Sequence, residues 1–252
     1  MTGPRLAGRV ALVSGANRGI GKGIALALAK EGARVALVAR DLGKLDETAA
    51  EVRTLGADAA AFRADVADES QVRRLEEEVL TRFGGLSILV NNAGMNIRKP
   101  MTEFSLAEWN QVIGTNLTGV FLMCRSFVPH IRSGGSGRIV NIASMMGRIS
   151  MPGRCAYSAS KAALIGFTKA LALELATDGI TVNAVSPGPL ATEINRSLLD
   201  DPELSRQFLS KIPLGRWGEV REVAALTAFL CTEEAGFITG SDVLIDGGWS
   251  AQ

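Results

Sequence analysis

The chain has 252 residues, of which 47% are hydrophobic, and its 27 lysines and arginines nearly balance 26 acidic residues. This balance argues against nucleic acid or an anionic membrane as a partner, because no overall field attracts polyanions. One histidine and three widely spaced cysteines predict neither a metal site nor a disulfide framework, and they are typical of a reducing compartment. The first eight residues lack an apolar leader pattern, and no apolar run approaches the length of a membrane span. We therefore expect a soluble, cytoplasmic protein.

Short, β-branched apolar segments alternate with longer amphipathic segments along the chain. The predicted strands are 9–14, 34–39, 59–64, 86–91, 138–143, 181–185 and 242–245. The predicted helices are 19–31, 43–55, 69–83, 105–132, 156–178 and 219–231. Apolar strands without strict alternation are typical of a sheet that is covered on both faces. The pattern therefore predicts an α/β fold: one Rossmann-type domain, 1–252, with a doubly wound parallel seven-stranded sheet and helices on both faces.

The segment 187–217 interrupts this alternation. It contains four prolines and shows only weak helical periodicity. It follows a strand, so it begins at the carboxyl edge of the sheet, where ligands of open α/β sheets bind. We predict a mobile substrate lid near 187–217, and an irregular surface connection is the alternative.

A glycine-rich turn joins the first strand to the first helix. Its spacing is G-x3-G-x-G, which differs from the commonest dinucleotide fingerprint. The glycines let the backbone approach a pyrophosphate closely, and the following helix presents free N–H groups and its positive end to that anion. The turn therefore predicts a nucleotide site, formed by Gly15, Asn17, Arg18, Gly19, Ile20 and Gly21.

The end of the second strand predicts which nicotinamide cofactor is used. An NAD site has a carboxylate at this position to accept hydrogen bonds from the ribose 2′-hydroxyl. Here Arg40 follows the strand, and Asp41 comes only after it. A guanidinium suits a 2′-phosphate, and Arg18 is placed to bind the same group from the other side. We predict NADP, with NAD as the alternative if both arginines are ordinary solvated charges.

A tyrosine and a lysine lie one helical turn apart in the segment YSASK, at Tyr157 and Lys161. A free tyrosine titrates at about 10, and a neighbouring ammonium together with an oxidised nicotinamide is expected to lower that pKa. Such a phenol can exchange a proton with an alcohol or ketone oxygen near neutral pH. Ser144, thirteen residues earlier at the end of a predicted strand, can donate a hydrogen bond to the same oxygen.

With these motifs the sequence resembles the short-chain dehydrogenase/reductase family over essentially its whole length. Other residues match the family pattern after the third, fourth and sixth strands and in the middle helix; they are Asp65, Val66, Asn91, Asn92, Ala93, Gly94, Asn116, Pro187, Gly188 and Thr192. Ser14 stands where threonine is commoner, and it keeps the hydroxyl. The resemblance implies the strand order 3-2-1-4-5-6-7. It also implies a homotetramer that joins subunits through helix pairs and the C-terminal strand.

The resemblance also implies roles for individual residues. Tyr157 would be the acid/base and Ser144 would orient the substrate. Lys161 would bond the nicotinamide ribose, and Asn116 would hold the water that connects this lysine to solvent. The remaining matched residues would contact the cofactor, with Asp65 and Val66 at the adenine and Pro187, Gly188 and Thr192 at the nicotinamide end.

Three segments, 92–100, 213–218 and 246–249, are similar to gluconate 5-dehydrogenases and 2-deoxygluconate 3-dehydrogenases. They are also similar to 3-oxoacyl-carrier-protein reductases. The prediction is an NADP(H)-dependent oxidoreductase that interconverts a small ketone and a secondary alcohol, with a keto-sugar acid as one substrate. The alternatives are a 3-oxoacyl-thioester or broad-range carbonyl reductase and, outside enzymes, a catalytically silent nucleotide-binding regulatory protein.

Four residues are candidates for substrate contacts. Arg98 and Arg154 are predicted at the mouth of the site, where they would attract a carboxylate; solvated loop arginines are the alternative. Met145 and Leu190 are predicted in an apolar wall, with Met146 and Met151, and core packing is the alternative. Trp217 and Trp249 are interpreted as packing or subunit-contact residues.

Overall fold

The computed structural model describes residues 3–132, 136–192 and 200–251. Seven strands form one sheet in the order β3-β2-β1-β4-β5-β6-β7, and all neighbouring pairs are parallel. The strands are β1 Val10–Ser14, β2 Arg34–Ala39, β3 Ala59–Arg63, β4 Ile88–Asn91, β5 Arg138–Ile142, β6 Thr181–Pro187 and β7 Asp242–Ile245. The predicted parallel sheet and its strand order are confirmed.

Helices cover both faces of this sheet. They are α1 Gly19–Lys30, α2 Leu42–Thr54, α3 Glu69–Phe83, α4 Leu106–Ile113, α5 Gly119–Arg132, α6 Cys155–Leu175, α7 Pro202–Leu209 and α8 Val220–Leu230. On one face Ile24, Leu45 and Val223 bring α1, α2 and α8 into a single apolar core. On the other face α3, α5 and α6 share a second core, to which Phe127 and Leu164 belong. The doubly wound architecture follows from these two cores.

The middle helix differs from its prediction. Instead of one helix over 105–132, α4 and α5 are joined by a π turn at Gly114–Thr118. The run Leu106–Arg132 is long and apolar enough to cross a membrane by length and composition, so the expectation that no run approaches that length is wrong. More than half of its most apolar window is buried, 56%, because it packs into the second core. Buried core helices of globular proteins meet the same criterion, so the length and composition of this run are only weak evidence for a membrane span.

The segment 187–217 is only partly irregular. Asp201 caps α7 by accepting hydrogen bonds from the backbone N–H groups of Glu203 and Leu204, and Pro202 occupies the first turn. The sequence pattern does not predict this helix, because eight residues are too few for its apolar periodicity to stand out. At the base of the segment Leu190 and Gly218 form a parallel bridge. The predicted lid also includes residues 193–199, which lie outside the described residues.

Candidate active site

The glycine-rich turn lies at the carboxyl end of β1 and is held by Asn92. The Asn92 side chain donates from Nδ2 to the carbonyl oxygens of Ser14 and Gly15, at 2.9 and 3.2 Å. Gly15 has a left-handed φ of 64°, and a Cβ there would lie 2.9 Å from Asn92 Nδ2 and 3.0 Å from Ala93 Cα. A Cβ at Gly21 would collide with the Gly15 carbonyl oxygen. Only glycine fits these two positions.

The same turn has room for an anion. Gly19 is left-handed, with a φ of 53°, and no atom lies within 4 Å of where its Cβ would be. Arg18 at the N-cap of α1 makes no side-chain capping hydrogen bond, so its side chain does not occupy the first N–H groups at the positive end of the helix. This cradle fits a pyrophosphate, in agreement with the predicted role of the turn.

Ser14 joins the glycine turn to the end of β4. Its hydroxyl accepts hydrogen bonds from the backbone N–H groups of Asn92 and Ala93, at 3.0 and 3.1 Å. It also lies 3.4 Å from the Val90 carbonyl oxygen, to which it donates. The sequence drew attention to Ser14 only as a departure from threonine. The structure gives its hydroxyl a definite task, which is to fix two strand ends beside the site.

The adenosine end of the site presents arginine rather than a carboxylate. The Arg40 side chain is 68% exposed, and its Nη1 lies 3.5 Å from Asp65 Oδ2. The carboxylate of Asp41 caps α2 by accepting a hydrogen bond from the backbone N–H of Lys44, at 3.2 Å. Arg18 is also exposed, at the start of α1. The charge available here suits a phosphate on the ribose.

Tyr157, Ser144 and Lys161 come together where β5 ends and α6 begins. The Ser144 hydroxyl acts on the phenol of Tyr157 and favours a lower pKa of that group. Lys161 is almost fully buried, and its Nζ donates to the Ile142 carbonyl oxygen at 2.7 Å. The same Nζ lies 5.7 Å from the centre of the Tyr157 ring. The predicted catalytic side chains are therefore neighbours, although the amine does not contact the phenol directly.

Burial is the largest influence on the pKa values of this group. Burial of the hydroxyl raises the pKa of Tyr157, while the Ser144 hydrogen bond and the charges of Arg154 and Arg98 act in the opposite direction. Burial lowers the pKa of Lys161 to about 8. In the protein alone burial dominates, and Lys161 donates to a backbone carbonyl; the predicted lowering of the tyrosine pKa depends also on the oxidised cofactor and stays a prediction.

Asn116 is fully buried in the π turn and binds two segments of the site. Its side chain exchanges hydrogen bonds with both backbone groups of Met95, at 2.8 and 2.9 Å. Its Nδ2 also lies 3.0 Å from Ser160 Oγ. A Cβ at Gly94 would lie 3.4 Å from Asn116 Oδ1 and 3.6 Å from Lys161 Nζ, so these residues adjoin. The side-chain amide of Asn116 is thus bonded to protein groups, and the water contact implied for this residue stays a prediction.

The end of β6 carries the predicted nicotinamide contacts. Pro187 is the last residue of the strand and is buried. Gly188 donates to the Ile245 carbonyl oxygen at 2.9 Å, and a Cβ there would lie 2.6 Å from Asp246 Cα. Thr192 follows a tight turn, in which its N–H lies 2.9 Å from the Leu190 carbonyl oxygen. The segment is thus pressed against the C-terminal residues at the carboxyl edge of the sheet.

Comparisons with known proteins agree with this geometry. The family model described as enoyl-(acyl carrier protein) reductase matches residues 15–250. The 3-oxoacyl-acyl-carrier-protein reductase of Staphylococcus aureus is 42% identical over 239 residues, 94% of this chain and 96% of the relative. A short-chain type dehydrogenase/reductase from Mycobacterium marinum superposes with a TM-score of 0.93 at 39% identity, covering 98% of this chain and 97% of the other. The chain belongs to the short-chain dehydrogenase/reductase family.

A related structure carries the predicted cofactor. The gluconate 5-dehydrogenase from Burkholderia cenocepacia J2315, in complex with NADP and tartrate, superposes with a TM-score of 0.94 at 36% identity and covers 98% of this chain and 97% of its own. The predicted family, reaction class and NADP cofactor are confirmed by these relatives. As a short-chain dehydrogenase/reductase, the protein is an oxidoreductase.

Beside the catalytic group of this short-chain dehydrogenase/reductase lies an apolar wall. Met145 and Met146 are buried and pack with Ile212 and Trp249, and Tyr157 lies against the same cluster. Met151 is partly buried there. Leu190 is different, because it packs in the α1, α2 and α8 core at the base of the lid. Because Leu190 also lines a cavity with Ile212, its place in the substrate wall stays a prediction beside its core packing.

An aromatic cluster joins the segment 187–217 to the C-terminal residues, and the sequence does not predict it as a unit. The Phe208 ring of α7 stacks on Trp217, with centroids 5.8 Å apart, and meets Trp249 edge-on at 5.6 Å. Trp217 and Trp249 both pack against Phe208, in agreement with their interpretation as packing residues. The sequence pattern does not single out Phe208. Its signal was its place in an amphipathic helix too short to recognise.

The two predicted substrate arginines lie near the phenol. Arg154 is half-buried just before α6, and burial together with the charge of Arg98 lowers its pKa. The charges of both arginines also act on Tyr157. Two guanidinium groups near a buried hydroxyl make the mouth of this site positive.

Proposed function

We propose that the protein uses NADP(H) to interconvert a small ketone and the corresponding secondary alcohol, and that its substrate carries a carboxylate. The observation that carries this proposal is the Tyr157 side chain, which packs against the cluster that contains Met145, and whose phenol is acted on by the Ser144 hydroxyl and by the charges of Arg98 and Arg154. The phenol and the hydroxyl supply an acid/base and a hydrogen-bond donor for the reacting oxygen, and the two charges select an anionic substrate.

The cofactor site is proposed along the carboxyl edge of the sheet. Arg40 and Arg18 are assigned to the 2′-phosphate, because they are the exposed cations at the adenosine end. The other proposed contacts are Gly15, Asn17, Gly19, Ile20, Gly21, Asp65, Val66, Asn92, Ala93, Gly94, Tyr157, Lys161, Pro187, Gly188 and Thr192. The uncapped start of α1 and the open space at Gly19 support this assignment.

When bound, NADPH supplies a hydride to the carbonyl carbon of the substrate. Tyr157 donates its phenolic proton to the carbonyl oxygen, so that the C=O π pair becomes the new O–H bond and a phenolate remains. Ser144 donates a hydrogen bond to the same oxygen as negative charge develops there. Lys161, whose pKa is lowered to about 8, can hold or release a proton near neutral pH and assists reprotonation of the phenolate. Asn116 keeps the Met95 segment in place beside the amine.

The charge at the mouth favours a keto-sugar acid over neutral ketones. A carboxylate can accept charge-assisted hydrogen bonds from a guanidinium, and two such groups near Tyr157 would orient the substrate. The related gluconate 5-dehydrogenase supports this choice. The second candidate is a 3-oxoacyl thioester, which is favoured by the apolar wall at Met145 and Phe208 and by the acyl-carrier-protein reductase relatives.

A substrate panel tests the proposal. Keto-sugar acids, 3-oxoacyl thioesters and neutral ketones are reduced with NADPH and with NADH, and turnover is followed by absorbance of the reduced nicotinamide. Arg154→Ala should raise KM by about 10-fold or more for anionic substrates and leave neutral ketones unchanged, since a charged hydrogen bond is lost. Arg221→Ala, at an arginine side chain that is 80% exposed on α8, is the matched control. Equal effects on neutral and anionic substrates would reject the carboxylate.

We also infer a single catalytic domain with a lid near 187–217, a homotetramer and a cytoplasmic location. The packing of Phe208 on Trp249 supports the lid, because it places α7 beside the Tyr157 cluster.

Exposed apolar side chains support association of subunits, since Leu106 is 73% exposed on α4 and Leu173 is 81% exposed on α6. Light scattering on Leu173→Glu checks this: a smaller assembly is expected, and an unchanged mass would reject that face as an interface.

A further inference from the structure

A buried carboxylate at the start of β7 connects the last residues of β6 to the turn that follows β5. The side chain of Asp242, at the start of β7, is only 2% exposed. Its Oδ2 accepts a hydrogen bond from Arg148 Nε at 2.6 Å, and its Oδ1 accepts one from Ser186 Oγ at 2.5 Å. A second Arg148 nitrogen, Nη2, donates to the Asp242 backbone oxygen at 2.8 Å. We call these three residues the Asp242 network.

Arg148 ends the short turn that begins at Ser144. Ser144 caps this 3-10 turn, because its hydroxyl accepts the N–H of Met146 at 3.1 Å. The turn also packs directly on α6, since a Cβ at Gly147 would lie 2.9 Å from the backbone of Lys161. The turn is therefore held at one end by β5, on one side by α6, and at its far end by Arg148.

Ser186 links the same carboxylate to β6. It immediately precedes Pro187 and Gly188, to which the proposed function assigns the nicotinamide end of the cofactor. A carboxylate buried to this degree is costly unless it is paired, so its partners are held firmly in place. One side chain thus fixes both the turn that carries the Ser144 hydroxyl and the strand end that faces the cofactor.

We propose that Arg148 and Asp242 are positioning residues for the Ser144 hydroxyl, and that Ser186 positions the end of β6. This inference rests on the catalytic roles proposed above for Ser144 and Tyr157. Neither Arg148 nor Asp242 is placed to touch the substrate; they act through the 3-10 turn. Loss of their ion pair loosens the turn, and the Ser144 hydroxyl acts less strongly on the Tyr157 phenol as a result.

The chain offers a direct readout, because Tyr157 is its only tyrosine. The near-ultraviolet absorbance of phenolate, recorded by rapid mixing before alkaline unfolding, therefore reports the pKa of this one side chain without any substrate. The Ser144 hydrogen bond lowers that pKa. Ser144→Ala should shift the titration midpoint upward by about 0.5–1 pH unit, the size expected for one hydrogen bond.

The test variant is Arg148→Met combined with Asp242→Asn, which removes both charges and leaves no unpaired buried ion. The titration midpoint of Tyr157 in this double variant should move upward toward the midpoint in Ser144→Ala. The triple variant, which combines all three changes, should have the same midpoint as Ser144→Ala alone. Arg148→Lys should restore part of the wild-type value. The matched control is Arg132→Met with Asp178→Asn, an ion pair of 2.7 Å at the opposite edge of the sheet. It should lower the melting temperature without moving the midpoint.

Steady-state kinetics should distinguish the role of the Arg148–Asp242 pair from the role of Ser186. The Arg148/Asp242 double variant should lower kcat by about 10- to 100-fold, the cost of a misplaced catalytic group, with KM for NADPH nearly unchanged. Ser186→Ala should instead raise KM for NADPH. A folded double variant that titrates like the wild type, while Ser144→Ala shifts, would overturn the proposal. Because the titration needs no substrate, its outcome does not depend on which substrate the enzyme takes.

Discussion

The phosphate cradle at the cofactor end of the site is shaped by backbone, whereas the substrate end is shaped by side chains from distant parts of the chain. At the first, Gly15 and Gly21 leave room that any Cβ would fill, and Asn92 fixes the turn through carbonyl groups. At the second, Phe208 and Trp249 meet from positions 41 residues apart in the numbering. We expect mutations at the two ends to separate cofactor binding from substrate turnover.

The largest expected effect is at the junction of the two ends. Tyr157→Phe removes the phenolic proton that we propose is transferred to the carbonyl oxygen, so kcat should fall by about 10²–10⁴-fold. NADPH binding, measured by fluorescence, should persist. Ser158→Ala is the control, because its hydroxyl bonds Ser150 Oγ at 2.7 Å and not the phenol. Retained activity in Tyr157→Phe would remove this residue from the acid/base role.

At the adenosine end, Arg40→Asp should reverse the charge that reads the 2′-phosphate. The ratio of kcat/KM for NADPH to kcat/KM for NADH should fall by about 10- to 100-fold. This is the effect expected when a charge-assisted hydrogen bond is lost and the new carboxylate repels the 2′-phosphate. Arg40→Lys keeps the charge without the planar fork and should retain part of the preference. If both variants keep the wild-type ratio, the adenosine end does not discriminate through Arg40.

Between the two ends lies Lys161, whose amine should make cofactor binding depend on pH. Burial lowers its pKa to about 8, and binding that uses the ammonium restores it. The affinity for NADPH is therefore highest below that pKa and decreases as the pH rises through it. The decrease is at most about tenfold for each unit by which binding raises the pKa of Lys161. Titration calorimetry over this range measures the slope, and Lys161→Met should show a flat profile. A slope that survives in Lys161→Met would point to another group.

The smallest expected effect is at the substrate end. Phe208→Ala removes one stacked and one edge-on ring contact and should cost about 1–3 kcal/mol of unfolding free energy, if α7 unfolds with the rest. KM for the substrate should rise a few-fold, with NADPH binding unaffected. Phe237→Ala, at a fully exposed phenylalanine, is the matched control. Weaker NADPH binding in Phe208→Ala would contradict the expectation that mutations at the substrate end leave cofactor binding unchanged.

The same contrast explains what the sequence could predict. The strands, the strand order and the glycine turn depend on local patterns or on the family resemblance, and most boundaries agree within one or two residues. The catalytic side chains were predictable because spacing along a strand and a helix places them. The Lys161 contact with Ile142, the burial that raises the tyrosine pKa, and the position of Leu190 depend on packing between distant segments. No short pattern reports such contacts.

The Asp242 network illustrates the limit further. Arg148 and Asp242 lie 94 positions apart, and each is unremarkable in its own segment. Only the sheet register, which pairs β5 with β6 and β6 with β7, brings them together. Residues that position others are therefore harder to predict from sequence than residues that react.

The π turn at Gly114–Thr118 amounts to one extra residue within an otherwise continuous helical run. Deleting a single residue there would let α4 and α5 fuse, and every later side chain of α5 would rotate by about 100° relative to α4. Asn116 would then leave its contacts with Met95 and Ser160. The irregular turn thus sets the angular phase between two helices, which makes the length of this segment as constrained as its composition.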